Sequence, residues 1–285
     1  MIKTLAYTTL ALIAFAGNSV LCRMALGEQT IDAASFTHIR LLSGAVVLFL
    51  ILKSKPGKTN NSSTGSWFAA ITLFVYALSF SYAYITLDTA TGALILFGVV
   101  QITMVVYTVT KGKRLHLSEW IGVSFALCGF IYLVLPGLTT PSLSGFLLMT
   151  LSGIAWGMYT LIGRGSTHPL EETTFNFVRT IPLIILLGVF TITNAQLSNQ
   201  GIILAILSGA IASGIGYTIW YMALPALSAT QAGVVQLLVP VFAAIGGIFF
   251  VGEQLSLRLL LAGSMILGGI LVVIIGKQYF LQHRH

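Results

Sequence analysis

Residues 112–117 read GKRLHL, and residues 252–257 read GEQLSL. The glycine and both leucines keep their places across 140 residues, while Lys113-Arg114 gives way to Glu253-Gln254. One turn written twice with its charge changed needs an explanation, and the surrounding composition supplies it. The chain of 285 residues is 56% hydrophobic and only 7% charged. Soluble domains carry about 25% charged residues. A globular surface cannot be covered with so few charges, so most of the chain must face lipid.

Apolar segments long enough to cross about 30 Å of hydrocarbon fall near 4–25, 35–53, 67–86, 90–110, 117–135, 144–163, 173–193, 201–221, 229–250 and 256–276. The expectation is an all-α membrane protein with ten transmembrane helices. The start, MIKTLAYTTLALIAFA, imitates a secretory signal, but its apolar run continues toward Ala25 and reads as a retained span. The linkers SKPGKTNNSSTGS and PGLTTPSLSG are polar or rich in proline and small residues, and the second falls at the midpoint.

Basic residues fix an expected orientation. With the N-terminus in the cytoplasm, Lys3, Lys53, Lys55, Lys58, Lys111, Lys113, Arg114, Arg164, Arg179, Lys277 and Arg284 collect inside. Only Arg23, Arg40 and Arg258 fall outside, which is the positive-inside bias of a multi-pass membrane protein. Both termini are then cytoplasmic, and the glycosylation-like triplets at 60–63 lie on the wrong side to matter. The same bias accounts for the net charge of +7 without nucleic acid, for which no motif or basic stripe is present. Cys22 and Cys128 stand in apolar runs and read as small buried hydrophobes, with no spacing for a disulfide or metal.

Sliding the second half back by 140 residues aligns more than the opening phrase. Gly157 falls on Gly17, Ala223 on Ala83 and Gly269 on Gly129, and Arg179 matches Arg40 within one residue. The predicted units are residues 1–137 and 144–285, five spans each. Two copies of an odd-span unit must lie upside down relative to each other. Inverted repeats of this kind build secondary transporters, with the substrate site near the midplane between the halves.

Three stretches carry a family resemblance: AFAGNSVLCRMAL at 14–26, SGIAWGMYTLIGR at 152–164, and GYTIWYMALPALSATQAGVVQLLVPVFAAIGGIFFVGEQLS at 216–256. They are similar to the EamA-type members of the drug/metabolite transporter superfamily, which have ten spans in two five-span repeats. The first half departs from the pattern at Val100-Gln101, opposite Pro240, and at Lys113, where a glutamate is usual. The resemblance implies export or exchange of small metabolites, amino acids among them, across the inner membrane.

The residues proposed to line a substrate cavity follow from polarity and symmetry. Asn18 lies mid-way along the first helix, and Trp156 stands at the equivalent place in the sixth. Gln101 and Gln236 are amides in apolar helices, which must face protein or a watery cavity; Gln231 lies nearer a helix end. Tyr76, Tyr82, Tyr159, Tyr217, Trp220 and Tyr221 supply aromatic faces for apolar or cationic groups, although a single aromatic more often packs or belts an interface. Pro240 is the expected hinge of the ninth helix. Arg23, Arg40 and Arg179 read as snorkelling anchors near span ends, with anion binding as the sharper alternative.

Carboxylates and histidines fall at helix ends or in loops, which argues against proton-coupled exchange through a mid-span carboxylate. No nucleophile triad, metal-ligand spacing or phosphate loop appears, so neither an enzyme nor a bound cofactor is expected. The reading is an exporter of small neutral or zwitterionic metabolites such as amino acids, working by alternating access. Its partners are a small-molecule metabolite and the bilayer, and the sequence leaves its oligomeric state open. Multidrug efflux on the same fold, and a polytopic enzyme acting on lipid-linked substrates, are the alternatives.

Overall fold

The structure, a computed structural model, describes residues 2–54, 65–112, 117–137, 140–163, 166–223, 226–227 and 235–282. Lys55, Lys58, the triplets at 60–63, Lys113, Arg114, His116, Arg164, Gln231 and Arg284 lie outside the described residues, as do the side chains of Tyr221 and Lys277. The helices are α1 (Ile2–Gly27), α2 (Ala33–Ser54), α3 (Trp67–Ala83), α4 (Thr89–Thr110), α5 (Leu117–Val134), α6 (Leu143–Gly163), α7 (Pro169–Arg179), α8 (Ile181–Thr191), α9 (Asn199–Ile206), α10 (Gly216–Ala223), α11 (Val239–Gly246) and α12 (Leu257–Gln282). Among the described residues eight helical segments are long and apolar enough to cross a membrane, and Trp67–Ala83 and Val239–Val251 are shorter apolar helices. Among the described residues the sole β feature is an isolated bridge between Ile31 and Leu197.

Two segments read from the sequence as single helices are interrupted, for identifiable reasons. The apolar run Pro169–Asn194 divides into α7 and α8 at Thr180. Pro182 lies in the first turn of α8, where its missing N–H breaks no bond but its ring prevents α7 from running on. Between α9 and α10 the chain widens into a nine-residue π-helix, Leu207–Ile215, whose sequence LSGAIASGI is rich in small residues. A shorter π segment, Gly247–Val251, continues α11. Such widened turns recur at functional sites. Pro240 likewise sits in the first turn of α11, just after a turn at Leu237–Leu238, rather than in mid-helix as expected.

The glycine that opens the repeated turn has one backbone conformation in both copies. Gly112 and Gly252 adopt φ of 79° and 74°, the left-handed region in which a side chain is strained, and each ends a helix. Helices restart at Leu117 and Leu257. The Thr89 N–H at the head of α4 bonds to Glu253, whereas Gly112 lies just beyond the foot of the same helix. The two turns therefore occupy opposite ends of a helix about 33 Å long, at 1.5 Å per residue.

Helices of the two halves interleave. α1 packs on α10 and α11, α3 and α4 pack on α6, and α2 lies against α7 and the Leu207–Ile215 segment. The closest pairing is α5 with α12, where a Cβ on Gly122 would strike the Gly269 carbonyl, and one on Gly269 would strike the Gly122 carbonyl. Gly129, against Ala262 and Met265, extends the seam. Lipid offers no hydrophobic drive to associate, so small residues earn close van der Waals contact instead. Cys22 is buried as expected, but Cys128 on α5 is exposed.

At one end of the bundle Asp32 heads α2. Its Oδ1 accepts from the Ser35 N–H at 2.9 Å and its Oδ2 from the Gln196 N–H at 2.9 Å, joining the loop after α1 to the loop before α9. Burial works against ionisation here, but hydrogen bonds from Ser35, Gln196 and Ala34 together hold the carboxyl below its usual range. A depressed carboxylate contributes stability that is present above its unfolded pKa of about 4 and is lost as pH falls through the folded value.

Two outcomes follow from this packing. Gly269→Ala should destabilise by about 1–3 kcal/mol through overpacking, while Gly268→Ala, with nothing within 4 Å of its Cβ, should be neutral or slightly stabilising; thermal unfolding in detergent compares the neighbours directly. Asp32→Asn should remove about 1 kcal/mol at neutral pH and flatten the acid limb of a pH–stability profile below about pH 4.

Candidate functional site

A chain of polar side chains crosses the middle of the bundle. Ser208, on the π segment, donates to Asn18 Oδ1 of α1 at 2.6 Å. Asn18 Nδ2 lies 3.5 Å from Tyr76 Oη of α3, and Arg40 Nη2 of α2 donates to the same oxygen at 2.9 Å. All four are buried. Four separate elements thus meet through side chains that would be unsatisfied in lipid.

An aromatic group forms the other wall. Trp156 of α6 lies 4.7 Å from Tyr76 and stacks on Tyr217 of α10 at 5.2 Å and on Tyr159 at 5.4 Å, centroid to centroid. Phe15 of α1 meets Tyr217 at 5.8 Å and Trp220 at 5.9 Å. Between the walls is a narrow cleft lined by Phe15, Asn18, Tyr76, Leu96, Trp156 and Tyr217, among others. A second, wider recess opens beyond it between the start of α3, the end of α6 and α7. Tyr159 lines that recess while stacking on Trp156, so one aromatic pair separates the two spaces.

The opposite end is closed by charge. Glu253 Oε1 and Oε2 accept from the Thr89 N–H at 2.8 and 3.0 Å, and Oε1 also accepts from Thr89 Oγ1 at 2.9 Å. Asp88, the residue preceding α4, makes no capping bond, so a carboxylate 164 residues away caps the helix and complements its dipole. Arg23 Nε lies 3.5 Å from Glu253 and Arg23 Nη2 lies 3.5 Å from Asp88. Arg258 secures the same end by donating to Leu135 O and, at 2.7 Å, to Thr140 Oγ1.

Of the residues singled out from sequence, Asn18, Tyr76, Trp156, Tyr159 and Tyr217 come together, and Trp220 joins their edge through Phe15. Tyr82 does not: it is exposed near the end of α3. Gln101 is buried on α4, one turn beyond the cleft residue Phe97, and its Nε2 has no partner among the described residues. Gln236 is half-buried beside the Leu237–Leu238 turn, apart from the cleft lining.

The snorkelling assignment of Arg40 is corrected. Arg40 is only 2% exposed, about 10 Å into α2 at 1.5 Å per residue. Arg179 ends α7 within the apolar run, its guanidinium over Trp67 at 5.9 Å and its Nη1 buried without a partner. Sequence reasoning also passed over Ser208, which nothing distinguishes from other helical serines. Arg40 had a signal: it stands eight residues after Asp32, too deep for its head to reach the interface.

A bundle of apolar helices enclosing a cleft with a polar chain on one wall and stacked aromatics on the other has the construction of a membrane transport protein. Comparison with known proteins agrees. Residues 143–275 match the EamA-like transporter family. A Pseudomonas aeruginosa protein of uncharacterized role is 47% identical over 272 residues, covering 95% of this chain and 94% of its own. An uncharacterized transporter of Archaeoglobus fulgidus is 23% identical over 94% of this chain and 96% of its own, and the uncharacterized transporter YoaV of Bacillus subtilis is 20% identical over 87% and 89%. A crystal structure with a TM-score of 0.62 and 15% identity covers 93% of this chain and 98% of its own, and shows the same fold. The chain belongs to the EamA-like transporter family of the drug/metabolite transporter superfamily.

The clasp yields a test. Glu253→Ala should cost about 1–3 kcal/mol of stability, since it strips a buried helix end of its acceptor. Asp88→Asn, whose side chain is 60% exposed, should change it by less than about 1 kcal/mol. Thermal unfolding of both variants reads the difference.

Proposed function

We propose that the protein is an inner-membrane exporter of small neutral or zwitterionic metabolites, amino acids among them. It works by alternating access with ten spans in two inverted five-helix repeats, residues 1–137 and 144–285. The observation that carries this reading is the cleft itself, where Asn18, Tyr76, Trp156 and Tyr217 from both halves face one space. The repeated glycine turn at opposite ends of α4 supports the inversion. With the termini cytoplasmic, the Arg23–Glu253–Thr89 clasp is the outer closure and the recess beside Tyr159 faces the cytoplasm. Loading then proceeds from the recess past the Trp156–Tyr159 stack, and release follows when the clasp parts. The broken stretch before Pro240 and the π segment flanking the cleft give α11 and α10 joints at which to bend.

Purified protein in liposomes, assayed by counterflow with a broad panel of labelled amino acids and other small polar metabolites, tests this. At least one compound is expected to exchange at a rate well above protein-free vesicles. Trp156→Ala should raise its KM about tenfold, the scale of one lost aromatic contact with associated burial. Failure to move any member of the panel would sink the reading.

A further inference from the structure

The donors and acceptors around Arg40 do not balance. Its guanidinium is charged at every accessible pH, yet among the described residues no carboxylate lies within ion-pair reach; the ion pairs there are Arg23 with Asp88 and Arg23 with Glu253. It rests over the rings of Phe80 at 4.9 Å and Tyr76 at 5.2 Å, which supply attraction but no counter-charge. Nη2 is used on Tyr76, and Nη1 is buried with no hydrogen-bond partner.

The shortage of acceptors continues into the cleft. Tyr76 Oη accepts from Arg40 and, at 3.5 Å, from Asn18, and among the described residues its own proton is donated to nothing. Asn18 Oδ1 is already taken by Ser208, which leaves Asn18 facing Tyr76 through a long and weak donor bond. Tyr76 and Asn18 both line the cleft, and Arg40 polarises the hydroxyl between them. Two donors, on Tyr76 and Asn18, therefore face an apolar, aromatic space, with the uncompensated positive charge of Arg40 directly behind the rings of Tyr76 and Phe80. Ionisable groups inside a membrane domain mark substrate paths, and a lone buried cation calls for an anion. One cation matches one negative charge, which favours a carboxylate over a doubly charged phosphate monoester.

We infer that the cleft holds its substrate by a free carboxylate seated on Tyr76 and Asn18 and neutralised by Arg40, with the remainder of the molecule against Trp156 and Tyr217. The inference rests on the carrier reading above and narrows it: among neutral and zwitterionic metabolites, those bearing a carboxylate bind, and uncharged ones of equal bulk do not.

Matched compounds test it on the full-length purified protein. L-phenylalanine and 3-phenylpropionate carry the carboxylate; L-phenylalanine methyl ester and phenethylamine keep the ring without it. L-leucine and its methyl ester form an aliphatic pair. Thermal stabilisation in detergent is expected from at least one acid and from neither its ester nor its amine. In Arg40→Gln that acid should bind at least about tenfold more weakly, the loss expected for a charge-assisted hydrogen bond, and should no longer be separated from its ester. Arg40→Lys should restore part of the difference. Should Arg40→Gln not fold, Tyr76→Phe removes the donated proton while keeping ring and cation, and should lower acid affinity with ester binding unchanged. Equal binding of acid and ester by the unaltered protein overturns the inference, as does acid preference that survives Arg40→Gln and Tyr76→Phe. Liposome counterflow separates the two levels. If esters or uncharged solutes are carried and acids are not, the carboxylate assignment fails and the carrier reading stands; if nothing is carried or bound, both fall.

Discussion

Inside a bilayer no water waits to receive a polar group that the fold leaves unmatched. The hydrogen-bonded path from Arg40 through Tyr76 and Asn18 to Ser208 is this protein's response to that constraint. It draws α1, α2, α3 and the widened segment before α10 to one point, and that point fixes where the cleft lies. Much of the remaining architecture serves it. The π segment carries Ser208 and Ser213 toward the cleft while Gly209 admits the backbone of α2 at Arg40. The small residues that make the segment adaptable are the ones that allow α2 to approach.

The two ends of the bundle are built differently. One is held by carboxylates and arginines: Asp32 across to Gln196, Glu253 onto the head of α4, and Arg258 onto the residues after α5. The other holds the recess beside Tyr159, where the Asn176 side chain accepts from the Ser66 N–H at 2.9 Å. One end thus carries a charge clasp on the head of α4, and the other a recess bordered by the junction of α3 with α7.

Much of this was legible in the sequence, and the rest was hidden for physical reasons. Hydropathy located the apolar helical segments, because lipid makes apolar length compulsory, but it did not show that the segments from 169 and 199 would be interrupted. The repeated glycine turn was readable because left-handed backbone restricts the choice of residue. The aromatics Tyr76, Trp156, Tyr159 and Tyr217, which pack together, were singled out because large rings are rare enough to notice. Tyr82, one and a half turns beyond Tyr76, was wrongly grouped with them because side-chain direction depends on the packing of α3 and not on proximity in the chain. Arg40 was misplaced because a snorkelling arginine and a buried one look alike until helix depth is counted. Ser208 and the reach of Glu253 to Thr89 are contacts across 190 and 164 residues, and no local pattern announces such contacts.

The Glu253 clasp has a consequence for how this chain can vary. Gly252 turns the backbone at a positive φ immediately before the carboxylate, and α12 begins four residues later. Between those fixed points the side chain must reach a single N–H at the head of α4. Loops on protein surfaces ordinarily absorb insertions and deletions. This one is constrained: adding a residue between Gly252 and Glu253 would turn the carboxylate away from Thr89 and leave Arg23 with Asp88 as its one ion-pair partner among the described residues. The length of the 252–256 connection is thus set by electrostatics, and the turn is a ruler as well as a link.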